Sequence, residues 1–185
     1  FIVNLNNLDF SYFNSEEKIF EGMNTKFRKN KHTIITGPNG SGKSTLLGLI
    51  SGVLYSQTGN VRINTDKIGY IGATPLIFSN SLKFNLLYGN TKEISEEILI
   101  DELIKFNFFQ DPNSYNLNQL VDNKSLSSGQ MQKLSFIRAL LSDIDLLLLD
   151  ESTANLDDET KDKIFDILDE KNITIINSTH DPKRF

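Results

Sequence analysis

Cysteine is absent, which removes disulfides and thiolate metal sites from consideration. That absence suits a reducing compartment. Also missing is any apolar run of the roughly 20 residues that a membrane-spanning helix needs. The greasiest stretch, ALLSDIDLLLLD, is broken by Asp143 and Asp145. No signal peptide is legible at the start. Runs of Lys and Arg are short, and 19 basic residues face 24 acidic ones, for a net charge of −5. A basic face is the footprint of nucleic-acid binding, so nucleic acid is not an expected partner. The first residue is Phe1 rather than Met, so the sequence reads as a piece of a longer chain. Its lack of membrane spans therefore says little about the whole protein.

What is present fits a single domain. A chain of 185 residues can bury a real core, and 38% hydrophobic with 23% charged residues is ordinary for a soluble globular protein. FIVNLNNLDFSYF alternates apolar and polar residues and reads as a strand near a sheet edge. HTIITG, His32 to Gly37, reads as a short buried strand. After it, Leu46, Leu47, Ile50 and Leu54 recur at helical spacing. NVRINTDKIGYIG supplies one or two more strands. Residues from about Ser81 to Gln119 change character, with helical periodicity in EISEEILIDELIKFNFF starting at Ser95. A second helix follows in SGQMQKLSFIRALLS. DLLLLDE then reads as a buried strand, DDETKDKIFDILDEK as a surface helix, and ITIINSTHD as a final buried strand. Strands alternating with helices predict an α/β layered sheet.

GPNGSGKST, Gly37 to Thr45, fits G-x-x-x-x-G-K-[ST] between a strand and a helix. In such a loop, Gly37, Pro38, Asn39, Gly40, Ser41 and Gly42 curl the backbone so that N–H groups face phosphate oxygens. The following helix adds its positive N-terminal end. Lys43 reaches the β- and γ-phosphates, the Ser44 hydroxyl can ligate Mg²⁺, and Thr45 completes the motif. A glycine-rich turn with an incidental lysine is the alternative, and the flanking strand and helix argue against it. LLLLDEST places Asp150 and Glu151 at the C-terminal edge of a strand, where open α/β sheets bind ligands. Asp150 can hold Mg²⁺ and Glu151 can polarise an attacking water. Alone, these carboxylates would read as a strand running into an acidic loop.

Between the motifs stands LSSGQ, Leu126 to Gln130. Alone it would be a serine-rich helix cap. With the other motifs in this order, the chain resembles the ATP-binding cassette (ABC) ATPases, whose signature is usually LSGGQ, and the likeness covers essentially all of it. The resemblance implies a P-loop core of mostly parallel sheet with flanking helices, an antiparallel β subdomain, and a helical subdomain at roughly residues 80–140. It implies that Ser127, Gly129 and Gln130 meet the γ-phosphate of ATP held by a second copy, and that Asp157 in TANLD lies at the dimer seam. His180 in INSTHD matches the family's switch histidine, although a lone histidine at a strand end is often structural. Tyr12, 25 residues before Gly37, matches the aromatic that stacks on adenine, with plain packing as the alternative. Only 82 residues separate Lys43 from Leu126, too few for the long coiled coil that chromosome-maintenance relatives insert there.

PLIFSNSLKFN is similar to the exporter branch of the family. Aligning Pro75, Phe78, Ser81, Leu82, Asn85 and Leu86 with that branch puts Ala73 where a glutamine is usual. The glutamine oxygen can ligate Mg²⁺ and place the attacking water, while a methyl group offers no oxygen. Slowed hydrolysis, with ATP binding intact, is the expectation. The text before the signature, LVDNKS, also departs from the acidic-glycine pattern of many exporters. The resemblance thus implies an ATPase domain at the cytoplasmic face of the cell membrane. It would be powered by ATP and Mg²⁺, paired head to tail with a second copy and joined to a transmembrane domain. A regulatory ATP-binding module with little turnover and a soluble ABC ATPase without a membrane partner are the alternatives.

Overall fold

The computed structural model describes residues 1–109, 111 and 115–180. They fall into two compact units. The first comprises Phe1–Tyr70, Asp145–Glu151 and the described residues from Asn172 onward; the second comprises Ile71–Ile144 and Ser152–Lys171.

The first unit holds two sheets. Strands β1 (Val3–Phe10), β2 (Phe20–Phe27) and β4 (Thr58–Ile63) form an antiparallel sheet in the order β2-β1-β4. β1 is therefore the middle strand, not the edge strand its alternation suggested. Its buried residues Val3, Leu5, Leu8 and Phe10 join the core, and both of its hydrogen-bonding edges are occupied. A register shift between Leu5 and Leu8 changes the spacing of buried residues, with Asn7 in a left-handed conformation at φ 47°. Gly59 packs so close here that a Cβ would run into the Asn7 carbonyl.

The second sheet runs β3 (His32–Ile35), β9 (Thr174–Ser178), β8 (Leu146–Asp150) and β5 (Ile68–Ile71). β3 pairs parallel with β9, and β9 parallel with β8. The continuous apolar run of β8 reflects burial on both faces: Leu146, Leu147, Leu148 and Leu149 are all inaccessible. β3, expected to be buried, is only half-buried because it ends the sheet's strand order. Helix α1 (Lys43–Ser51) buries Leu46, Leu47, Leu49 and Ile50 in the same core as Leu148 and Ile176. It ends at Gly52 rather than reaching Leu54.

The second unit carries the helices. Strands β6 (Asn80–Ser81) and β7 (Leu120–Val121) form a short antiparallel pair. Ser81 caps α2 (Leu82–Leu87), Ser95 caps α3 (Glu96–Lys105), Ser127 caps α4 (Ser128–Leu141) and Asp157 caps α5 (Asp158–Glu170). α2 packs on α4, with Leu82, Leu86, Leu134 and Phe136 fully buried. Among the described residues, no helix is long and apolar enough to cross a membrane.

Asp9 binds the antiparallel sheet together. Its carboxylate accepts the Gly22 N–H at 2.7 Å and the Thr58 hydroxyl at 2.6 Å, from the strands on either side. The Thr58 hydroxyl first, and the Gly22 N–H second, hold the Asp9 carboxyl below its ordinary value of 3.8. A depressed folded-state pKa gives stability that is fully present above the unfolded value and lost as pH falls through the folded one. Melting temperature should therefore fall as pH drops below about 4, and Asp9→Asn should flatten that fall. An equally steep acid profile in the variant would show that the carboxylate does not act this way.

Candidate functional site: the phosphate loop and the carboxylate pair

Parallel register brings three strand ends to one level. Ile35 pairs with Ser178, and Ser178 pairs with Asp150. The chain segments that follow them are the glycine-rich loop, the tail leading to His180, and Glu151. Two backbone bonds fix these exits: Thr179 N–H donates to the Ile35 carbonyl at 3.2 Å and Glu151 N–H to the Ser178 carbonyl at 3.0 Å. The C-terminal edge of a parallel sheet is where such folds take their ligands.

The loop curls as its glycines suggested. Gly42 adopts φ 91°, and a Cβ there would lie 2.7 Å from the Ile19 side chain and 3.0 Å from that of Phe20. Gly42 also begins α1 without any side-chain cap, so the first N–H groups of the helix keep their donor capacity for an anion. Lys43, only 7% exposed, donates to the carbonyls of Gly37 at 3.0 Å and Pro38 at 3.1 Å. A buried ammonium demands such partners.

Around this loop the structure gathers the other predicted residues of the first unit. The Ser44 hydroxyl donates to Asp150 Oδ1 at 2.9 Å. Glu151 Oε1 lies 2.7 Å from His180 Nε2 and 3.9 Å from Lys43 Nζ. Glu151 itself is left-handed, at φ 51°, an unusual conformation for a residue with a side chain. Tyr12 packs edge-on against Phe10 at 5.1 Å, and its hydroxyl shares a 2.8 Å hydrogen bond with Thr45 Oγ1. Its approach is fixed by Gln57, whose amide bonds the backbone N–H and carbonyl of Ser11 at 2.8 and 2.9 Å. Ring packing and placement beside the phosphate loop are thus both present at Tyr12.

Sequence reading missed one member of this group. The Tyr70 hydroxyl, from β5, donates to Asp150 Oδ2 at 2.9 Å. Burial, then the bond to Asp150, pushes the phenol above its ordinary value of 10.0, so it stays a donor. Only the placement of β5 beside β8 reveals this contact, and no local motif announces it.

In the second unit, Ser127, Gly129, Gln130 and Asp157 line one cavity of about 500 Å³, with Phe108 and Lys133. Ser127 and Gln130 form a capping box: Gln130 N–H donates to Ser127 Oγ at 3.1 Å and Ser127 N–H to Gln130 Oε1 at 2.9 Å. Gln130 Nε2 reaches the Phe108 carbonyl at 3.2 Å, so both ends of this amide are already engaged. The Ser127 hydroxyl proton stays available to an acceptor. Lys133 donates to the Asn107 carbonyl at 3.0 Å, and burial lowers its pKa. Asp157 accepts both the N–H and the hydroxyl of Thr160 at 2.8 Å. The backbone bond, then the hydroxyl, holds its carboxyl below the ordinary value.

The family model for the ABC transporter matches residues 20–154. The chain belongs to the ABC transporter family. Among curated ABC proteins it is 35% identical over 183 residues to ABC transporter B family member 21 of Arabidopsis thaliana, covering 90% of this chain and 14% of that protein. It is 33% identical over 194 residues to the lactococcin-A transport/processing ATP-binding protein LcnC of Lactococcus lactis, covering 96% of this chain and 27% of that one. The chain therefore spans well under a third of either relative's length. A solved structure of a bacterial Atm1-family ABC exporter with ATP bound superposes with a TM-score of 0.84, at 22% identity, over 97% of this chain and 34% of that one. That likeness establishes the ABC ATPase fold.

The left-handed backbone at Glu151 yields a stability test. Left-handed geometry costs a residue with a Cβ about 1 kcal/mol and costs glycine nothing. Glu151→Gly should therefore be more stable than Glu151→Ala by about 1 kcal/mol in urea unfolding. The reverse order would mean that position 151 is not left-handed in solution.

Proposed function

We propose that this chain is the ATP-binding and hydrolysing domain of an exporter-like ABC transporter, occupying residues 1–185 of a longer protein with a helical subdomain at roughly 80–140. The observation that carries the proposal is the bond between Ser44 and Asp150 beside the chain Lys43–Glu151–His180. It supports the reading because a buried lysine, two hard oxygens and a second carboxylate meet at one sheet edge.

Each residue has a chemical task in this reading. Gly37 to Gly42 and the first N–H groups of α1 cradle the phosphates, and Lys43 exchanges a loop carbonyl for a phosphate oxygen. Tyr12 supports the adenine ring. Glu151 Oε1 orients the attacking water and takes its proton, while His180 holds that carboxylate at 2.7 Å and faces the γ-phosphate. Among the described residues, no cluster of three His, Asp or Glu side chains could hold a metal alone. Ser44 and Asp150 offer two hard oxygens, a donor set that would suit Mg²⁺ alongside phosphate oxygens and water. Bound there, the ion would neutralise charge on the phosphate oxygens. The Ser44 hydroxyl donates its proton to Asp150 and so leaves its lone pairs free for such an ion.

Ser127 and the backbone at Gly129 would serve the ATP of a second copy across a head-to-tail dimer. Gln130 would shape that helix start rather than touch nucleotide, and Asp157 would stand at the seam. Exposed Leu76, Phe84 and Tyr88, with the Phe78 ring packed at a tilt against Tyr88 at 4.3 Å, support a protein partner. The transmembrane domain is the partner proposed, and it places this domain at the cytoplasmic face of a membrane.

A regulatory ATP binder with little turnover has one observation in its favour: Ala73 stands exposed in its loop and carries no side-chain oxygen. MgATP hydrolysis measured over a range of protein concentrations separates the readings. The rate should rise faster than linearly with concentration, vanish in Glu151→Gln, and increase in Ala73→Gln. No turnover in the wild-type chain or in Ala73→Gln would overturn the hydrolytic reading.

A further inference from the structure

The Asp150 carboxylate is held from both sides. Ser44 donates to Oδ1 and Tyr70 to Oδ2, each at 2.9 Å. The two donors come from different parts of the first unit, one from the start of α1 and one from β5. β5 is itself moored to the base of β8, because Asp145 and Leu146 N–H both donate to the Lys67 carbonyl and Thr65 donates to the Asp145 carboxylate at 2.7 Å. The phenol is thus carried on a fixed strand, not on a loop.

We infer that Tyr70 is a positioning residue for the divalent-cation site, holding the Asp150 carboxylate in the orientation the ion requires. The inference rests on the metal site proposed above. A carboxylate with one oxygen unanchored can rotate about its Cβ–Cγ bond, and each rotation turns lone pairs away from the ion. Partners of this kind fix a ligand's geometry and strengthen metal binding by roughly 10- to 100-fold. Their weight is greatest where other anchors are few. Tyr70 lies three residues before Ala73, whose side chain offers the ion no oxygen. With that ligand missing, the ion depends on the pair Ser44 and Asp150, and on whatever keeps Asp150 in place.

Metal binding tests this without turnover. Mn²⁺ would be titrated by electron paramagnetic resonance into wild type, Tyr70→Phe and Asp150→Asn, each saturated with the β,γ-imido analogue of ATP. Affinity for that analogue in EDTA would be measured alongside. Tyr70→Phe keeps the ring and should weaken Mn²⁺ about tenfold, leaving metal-free affinity for the analogue unchanged. Asp150→Asn should weaken Mn²⁺ further. Wild-type Mn²⁺ affinity in Tyr70→Phe, with Asp150→Asn impaired, would overturn the inference alone. Loss of metal-free binding in Tyr70→Phe would overturn it too, by showing a structural role. Unchanged Mn²⁺ affinity in Asp150→Asn, or no analogue binding by wild type, would overturn the metal-site reading and this inference with it.

Discussion

The arrangement of the first unit depends on one buried ammonium. Lys43 is almost withdrawn from water and satisfies its charge on two carbonyls of the loop that precedes it. A charge so placed is tolerable only when hydrogen-bonded, so the loop must stay curled around it. The curl in turn needs the left-handed glycine at position 42, the uncapped start of α1 and the close packing of Ile19 and Phe20. Glu151, 3.9 Å from the same ammonium, takes up a backbone conformation that a side chain resists. The parallel pairing of β3, β9 and β8 delivers all these groups to one level. The strained residue and the buried charge sit where chemistry would occur, as expected when local rules yield to a site.

Much of this was legible because the determinants are local. A lysine motif between a β-branched run and a helix has few other uses, and the four leucines of β8, bounded by acidic residues, read as a strand covered on both faces. Ser95 and Ser127 each precede a helix by the side-chain bond their position predicts. Errors arose where tertiary pairing decides. The sequence of β1 looks like an edge strand because half its residues are polar, yet Asn4 pairs with Lys26 on one side and Arg62 on the other, in the middle of a sheet. β3 looks buried from its composition and is half-exposed because of its place in the strand order. The Tyr70 contact joins residues 80 apart in sequence, and no periodicity carries that information.

The stretch from Pro75 to Leu86 shows why a text pattern can be read without knowing its cause. Ser81 caps α2, Leu82 and Leu86 are fully buried, and Asn85, also buried, exchanges hydrogen bonds with the Phe78 backbone at 2.8 and 2.9 Å. Arg138 adds bonds to the carbonyls of Asn85 and Leu76. Those residues set the shape of the segment. Ala73 does not: it is exposed, and its neighbour Gly72 is anchored by its carbonyl to Gln132 at 3.2 Å. The scaffold of the loop is therefore independent of the side chain at position 73. An alanine there leaves the bonds that shape the loop intact.

The measurement that bears most directly on this account is calorimetric titration of ATP into the wild-type chain and into Lys43→Ala. If the curled loop is a phosphate cradle organised around its lysine, wild type binds one ATP per chain saturably and the variant shows no saturable heat while keeping its fold by circular dichroism. Equal binding by the two proteins would contradict the account, because the phosphates would then be held somewhere other than this loop.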